Sequence, residues 1–199
     1  MSRFNILPDP AYENLRPTLV ERLDRIAGSL RPEQFDSVLD PLLRRILERG
    51  FTDAGADEGT VWLLDGAGEG LVPAHNTGPN ASRLVGQFKQ PLNAGLICMV
   101  FASEQPFLEN DVAHAPRQSK LLDSMLGVQT CAMIAVPFHF LRACRGVISC
   151  VQLQSPDRPG APRPGFRPEH LAGLQLAATL LSQLLEYRLL GRAVGWMSE

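Results

Sequence analysis

The sequence predicts an α+β fold. A central antiparallel sheet of five to six strands carries the terminal helices on one side and a lid of short helices and loops on the other. Three observations lead there. Residues 130–154 read as two apolar strands, 131–140 and 145–154, joined by a short basic turn. Neither alternates apolar with polar residues, as a strand with one wet face would, so this hairpin belongs mid-sheet, covered on both sides. A second hairpin precedes it, residues 60–64 returning as 70–76 across an Asp65-Gly66 turn. A Leu/Ala-rich helix over 168–190 has apolar residues on about half of its circumference, whereas a helix lying on one sheet needs a stripe of only ~100°. The surplus calls for further partners: the first helix and a second copy of the chain.

The remaining elements follow in order. Leu15, Leu19, Leu23, Ile26 and Leu30 fall at helical spacing and predict a first helix over 11–30. A second helix is expected over 32–49, with Phe35, Val38, Leu39, Leu42, Ile46 and Leu47 as its stripe and Gly50 as its stop. Residues 51–59 read as a polar loop, 77–82 as turn chemistry and 86–91 as a third, weaker strand. Asn93 or Ala94 opens a helix that runs to Ser103; a brief extended piece (107–112) and a polar segment (113–120) follow. A short helix over 120–126 is stopped by Gly127. The four prolines of residues 155–165 exclude regular structure and place a surface loop there. Domain organisation is read as an N-terminal extension helix (1–31), one domain (32–190) and a tail (191–199).

Composition narrows the function classes. The 199 residues carry 19 Lys+Arg against 21 Asp+Glu, a net charge of −2. That balance gives no electrostatic footprint for nucleic acid or an anionic membrane surface. No secretory signal and no run of ~20 apolar residues is present, so the chain is expected to be cytoplasmic. Cys98, Cys131, Cys144 and Cys150 show no C-x-x-C spacing and read as reduced, small apolar residues. No nucleophile elbow, phosphate-binding loop or HExxH appears, and the four histidines lack zinc-ligand spacing; the chain is expected not to be an enzyme and to hold no metal. Asp36 and Asp40 read as one solvated helix face, and Arg44, Arg45 and Arg49 as charges complementing a helix C-terminus.

Five strings resemble the GAF family of small-molecule sensor domains. GTVWLLD at 59–65 is similar to the family's first strand; LNAGLICMVFASEQPFLEND at 92–111 to its Gly-Leu-Ile-Gly helix and the pocket-lid segment ending in Asp. GVQTCAMIAVPF at 127–138 resembles the strand ending in Val-Pro, RGVISCVQL at 145–153 the final strand, and Phe166 with its following helix the closing element. The resemblance covers about 32–190 and implies a GAF/PAS-like fold. The departures are specific. Cys98 stands at a family glycine. Gln118-Ser119 occupy the place of the bilin-attaching Cys-His pair, and Gln154-Ser155 that of the Asn-Lys of cyclic-nucleotide binders, with only Glu169 following Phe166. Ile97 stands where the free-methionine-sulfoxide reductases carry a cysteine, and Ala132-Met133 where they carry Ser-Glu.

The resemblance implies a ligand held between sheet and lid. The lining candidates are His75, Phe88, Cys98, Phe101, Leu122, Met125 and Met133, with Asp111 and His114 added if the polar lid segment folds inward. Each has an alternative as plain core or exposed loop. Three functions stay open. The first is a sensor that binds a small organic ligand and signals through its terminal helices as a homodimer; no output domain is expected in this chain, so a separate effector protein would receive the signal. The second is a thiol-dependent reductase using Cys98 with Cys131 or Cys150. The third is a ligand-free dimerisation scaffold. The sequence identifies no cofactor.

Overall fold

The computed structural model describes residues 10–155 and 161–196. Parts of the expected N-terminal extension, Pro-rich loop and C-terminal tail lie outside them. A 3₁₀ turn, Pro10–Leu15, leads into α1 (Arg16–Ser29), a second, Pro32–Ser37, precedes α2 (Pro41–Asp53), and a hairpin follows, β1 (Glu58–Leu64) and β2 (Gly70–Asn76). The lid segment contains α3 (Ala81–Leu84), β3 (Gln90–Pro91), α4 (Leu96–Ser103), β4 (Phe107–Glu109), a 3₁₀ turn Val112–His114 and α5 (Leu121–Leu126). The long hairpin β5 (Thr130–Phe140) and β6 (Ala143–Leu153) and the helix α6 (Pro168–Val194) complete the fold.

The six strands are antiparallel in the order β3-β2-β1-β6-β5-β4. The apolar hairpin is therefore central, as its lack of alternation requires. On one face Leu43, Leu47 and Phe51 of α2 and Leu174, Leu181 and Leu185 of α6 pack against Ile134, Phe138 and Ile148, and Phe35 meets Phe138 edge-on at 6.2 Å. On the other face a smaller cluster joins Ile97, Cys98 and Val100 of α4 to Trp62, Leu71, Ala135 and Val147. The expected two-sided cover is present.

Several boundaries differ, each for a physical reason. The helix expected over 32–49 is two elements, because Pro41 disfavours helical backbone at the residue before it; Asp40 is extended at ψ 174° and its carboxylate accepts the Leu43 N–H at 2.7 Å as an N-cap. Asp36 and Asp40 thus do not share one helix face: Asp36, in the 3₁₀ turn, is solvent-exposed and pairs with His75 and Arg44, while Asp40 also meets Arg188 of α6. The arginines fall mid-helix rather than at its end, since α2 passes through Gly50 to Asp53 and Arg49 pairs with Asp53 at 2.8 Å. Gly50 does not stop the helix. It lets α2 approach α6, where a Cβ would lie 2.9 Å from that of Ala177. In the expected loop 51–59, Phe51 is buried in α2 and β1 already starts at Glu58.

The third strand shrinks to Gln90–Pro91, and α3 forms within the segment read as turns. Helix α4 begins at Leu96 because Gly95 adopts φ 93°, ψ 154°, a region open essentially to glycine. Gly127 ends α5 at φ 67°, as expected. The β5–β6 turn uses Leu141 and Arg142 at φ 50° and 62°, an arrangement that favours Asn-Gly. The Leu141 N–H donates to Glu186 Oε1 of α6 at 2.6 Å, which ties the turn down. Helix α6 continues to Val194, beyond the expected end at 190.

Candidate functional site

The lid-side face of the sheet is divided along its length. At one end β1 and β6 present Trp62 and Val147 to α4, with Leu64, Phe88 and Phe107 packed around them. At the other end the same strands present Glu58, Thr60 and Ser149, and β2 adds Asn76. Strand period places these polar side chains on one surface, because alternate residues share a face: Val61, Leu63, Ile148 and Cys150 point into the opposite core. A half-open cavity of about 60 Å³ lies between this polar patch and the lid. Gln118, Ser119, Leu122 and Asp123 form its roof, and Gln90 and Gly95 one wall.

Buried polar groups must find partners, and here they bind one another. Trp62 Nε1 donates to Ser149 Oγ at 3.0 Å and Asn76 Nδ2 to Thr60 Oγ1 at 2.9 Å. Gln90 Nε2 donates to the Ala94 carbonyl at 3.0 Å. Asp123 accepts the Thr130 N–H and hydroxyl at 2.9 and 2.8 Å, which latches α5 to β5. Glu58 is 8% exposed. Burial pushes its carboxyl above the usual range, the Asn76 amide pulls it down, and the neighbouring Asp57 raises it further.

Of the nine residues the sequence suggested, Leu122 and Met133 line the cavity. Phe88 and Cys98 stand in the apolar wall behind it, Phe88 edge-on to Trp62 at 6.2 Å; Phe101 packs on the same cluster. Met125 is exposed. His75 faces away: β2 turns it to the α2 side, where Nδ1 lies 3.1 Å from Asp36 Oδ1 and Nε2 is buried without a partner. Asp111 and His114 pair with each other at 2.7 Å, both well exposed, and the lid segment carries them outward. His139 alternates to solvent between two buried phenylalanines and meets Glu104 at 2.9 Å. The polar set of Glu58, Thr60, Asn76, Gln90 and Ser149 was not singled out. Its sequence signal is the isolated polar residue within an otherwise apolar strand, as at Thr60 and Ser149.

The cysteines do not form a pair. Cys98 belongs to the lid-side cluster and Cys150 to the opposite core, with the sheet between them. Burial pushes the Cys98 thiol up to about 11 and the Cys150 thiol higher still; Cys131 and Cys144 are raised for the same first reason. Among the described residues, no group of His, Cys, Asp and Glu is placed to hold a metal ion, and no helix is long and apolar enough to cross a membrane.

Solved structures with this fold are numerous. The GAF domain of a phosphoenolpyruvate-protein phosphotransferase from Coxiella burnetii superposes with a TM-score of 0.61 at 20% identity, covering 95% of this chain and 100% of that one. The corresponding domain from Acinetobacter gives 0.57 at 16%, covering 93% and 99%. A free methionine-R-sulfoxide reductase from Neisseria meningitidis, solved with its substrate, gives 0.54 at 14%, covering 94% and 99%. No curated protein matches the sequence. The GAF domain family matches over residues 38–185, which takes in both hairpins, the lid and most of α6, and the chain belongs to that family.

Proposed function

We propose that this chain is a cytoplasmic regulatory sensor that binds a small organic ligand between the sheet and the lid and passes occupancy on through its terminal helices. The observation that carries this reading is the polar patch of Glu58, Thr60, Asn76 and Ser149 held under the lid, each less than a tenth exposed. An interior surface serving only stability gains more from apolar packing than from such groups. The cavity of about 60 Å³ has room for only about four waters, so binding requires the lid to move. Helix α5 suits that: it has no buried residue, and segments with few buried apolar contacts open at low cost. The raised thiols and the sheet between Cys98 and Cys150 support a non-enzymatic reading over a thiol-dependent reductase.

Signalling through helices needs a partner surface. On α6 the residues Gly173, Leu176, Leu180, Gln183, Tyr187, Leu190 and Val194 follow the alternating three-four spacing of a coiled-coil seam. Leu176, Leu180, Tyr187 and Val194 are 61%, 41%, 59% and 42% exposed. A second copy seated along this seam forms the homodimer, and a ligand would bias the helix pair by no more than its differential affinity for two arrangements. The small cavity also favours a second reading, a ligand-free dimerisation scaffold.

One experiment separates the readings. Native mass spectrometry of freshly purified protein, followed by a thermal-shift screen of small metabolites, is run beside Leu126→Trp, which fills the half-buried lid edge. A retained or stabilising compound lost in the variant is the sensor outcome. No retained mass and no stabilising compound is the scaffold outcome.

A further inference from the structure

We propose that the ligand is a small organic cation, an ammonium or amidinium compound, with Glu58 as its counter-charge. This rests on the sensor reading above and goes past it to the chemistry of the ligand.

The cavity wall is one-sided in charge. Among the described residues its ionisable lining groups are Glu58 and Asp123, and no Lys, Arg or His among them lines it. Asp123 is already committed, holding the Thr130 N–H and hydroxyl. Glu58 is not. A carboxylate offers about four acceptor sites, and among the described residues its side-chain partner is the Asn76 amide. The neighbouring cation Arg163 is paired with Asp57 instead, at 2.5 Å. The fold makes room for the Glu58 head group on purpose: a Cβ at Gly78 would lie 2.1 Å from its carboxyl carbon. The rest of the wall suits a cation. The Thr60 and Ser149 hydroxyls retain acceptor capacity, and Trp62 lies two residues along the same strand face, an aromatic surface of the kind that attracts ammonium groups.

An anionic ligand meets the opposite situation. A phosphate or carboxylate would enter a buried space lined, among the described residues, by two carboxylates and no cation, and the like charges would repel at low dielectric. A cation instead satisfies a carboxylate that the fold buries at a cost, so the ligand completes an ion pair left half-built. Glu58 is the specificity-determining group, and the hydroxyls and the Asn76 amide hold the rest of the molecule.

The test uses the full chain, with ethanolamine and acetamidine matched in size to the neutral and anionic controls and two longer amines beside them. Ethanolamine, acetamidine, putrescine and agmatine are titrated by calorimetry and thermal shift, beside neutral ethylene glycol and anionic glycolate at equal ionic strength. At least one amine or amidine is expected to bind while glycolate and ethylene glycol do not. In Glu58→Gln that binding weakens by about thirtyfold or more, the usual effect of removing one side of a buried charge pair. Glu58→Gln is expected to fold, because the amide removes a buried charge; the amine-against-glycolate comparison on the unmodified chain decides the matter without it. Glycolate binding overturns the cation assignment and leaves the sensor reading in place. Amine binding unchanged in Glu58→Gln overturns the role of Glu58. No binding by any probe overturns the cation assignment; when no small molecule is retained on purification either, the sensor reading falls with it.

Discussion

Cys98 shows how burial decides chemistry at a single residue. Its side chain is 2% exposed, its S–H donates to the Pro91 carbonyl at 3.3 Å, and desolvation raises the thiol from 9.0 to about 11. The thiolate is the nucleophile, so Cys98 is expected to resist alkylation at pH 7–8 in the native state and to label only as pH climbs toward about 11. Mass-resolved iodoacetamide labelling across that range checks this; rapid labelling at pH 7 would point to a reactive, reductase-like thiol. The stability consequence has a definite sign. An acid whose folded value is raised holds its proton more tightly when folded, so its contribution is complete below pH 9.0 and is lost on rising toward about 11. The histidines make the complementary point. His75 was a candidate because it ends an apolar strand, yet it faces Asp36, while its neighbour Asn76 faces the cavity. One step along a strand reverses the face.

Among the elements, α2 is fixed by its first residues. Asp40 caps the Leu43 N–H and pairs with Arg188, so one carboxylate both starts α2 and fastens it to α6. Asp40→Ala is expected to cost about 2 kcal/mol, most of it from the lost cap, which lowers Tm by roughly 4–8 °C in a chain of this size. Asp40→Asn keeps an accepting oxygen and loses the ion pair, which is partly exposed, so it should cost less than half as much. Equal losses in the two variants, measured by thermal unfolding, would show that the ion pair and not the cap secures the helix. The β5–β6 turn is the converse case. Leu141 and Arg142 sit in left-handed backbone that costs ~1–2 kcal/mol per residue without glycine, and the bond from the Leu141 N–H to Glu186 holds them there. The turn is thus set by α6 and not by its own residues.

For the whole molecule, α6 has two apolar faces with different destinations. Leu174, Leu181, Leu185 and Leu189 are at most 2% exposed against the sheet and α2, while Leu176, Leu180 and Tyr187 of the seam are 41–61% exposed. Light scattering should give twice the 21.8 kDa chain mass. Leu176→Glu with Leu180→Glu should return the protein to monomer with little loss of Tm, because both residues are exposed in the single chain. A monomeric parent protein, or a dimer that survives both changes, would remove α6 as the interface.

The sheet is legible in the local pattern of residues. The two hairpins, the central place of the second, the lid helix ending at Gly127 and the long closing helix all followed from periodicity and breakers, since these are local properties of neighbouring residues. The resemblance of residues 92–138 also implies a ligand held between sheet and lid. Which side chains meet between sheet and lid follows from long-range contacts that no local pattern carries. The local pattern places Glu58 in a loop and offers His75 rather than Asn76, whereas Glu58 opens β1, Asn76 faces the cavity and Cys98 stands in its apolar wall. Each outcome depends on a strand start, a β-bulge between Val61 and Trp62 or a helix start at Gly95, and a shift of one residue at any of them exchanges buried for cavity-facing. Which face a side chain takes is a global consequence of register, and register is set by contacts between segments far apart in the chain.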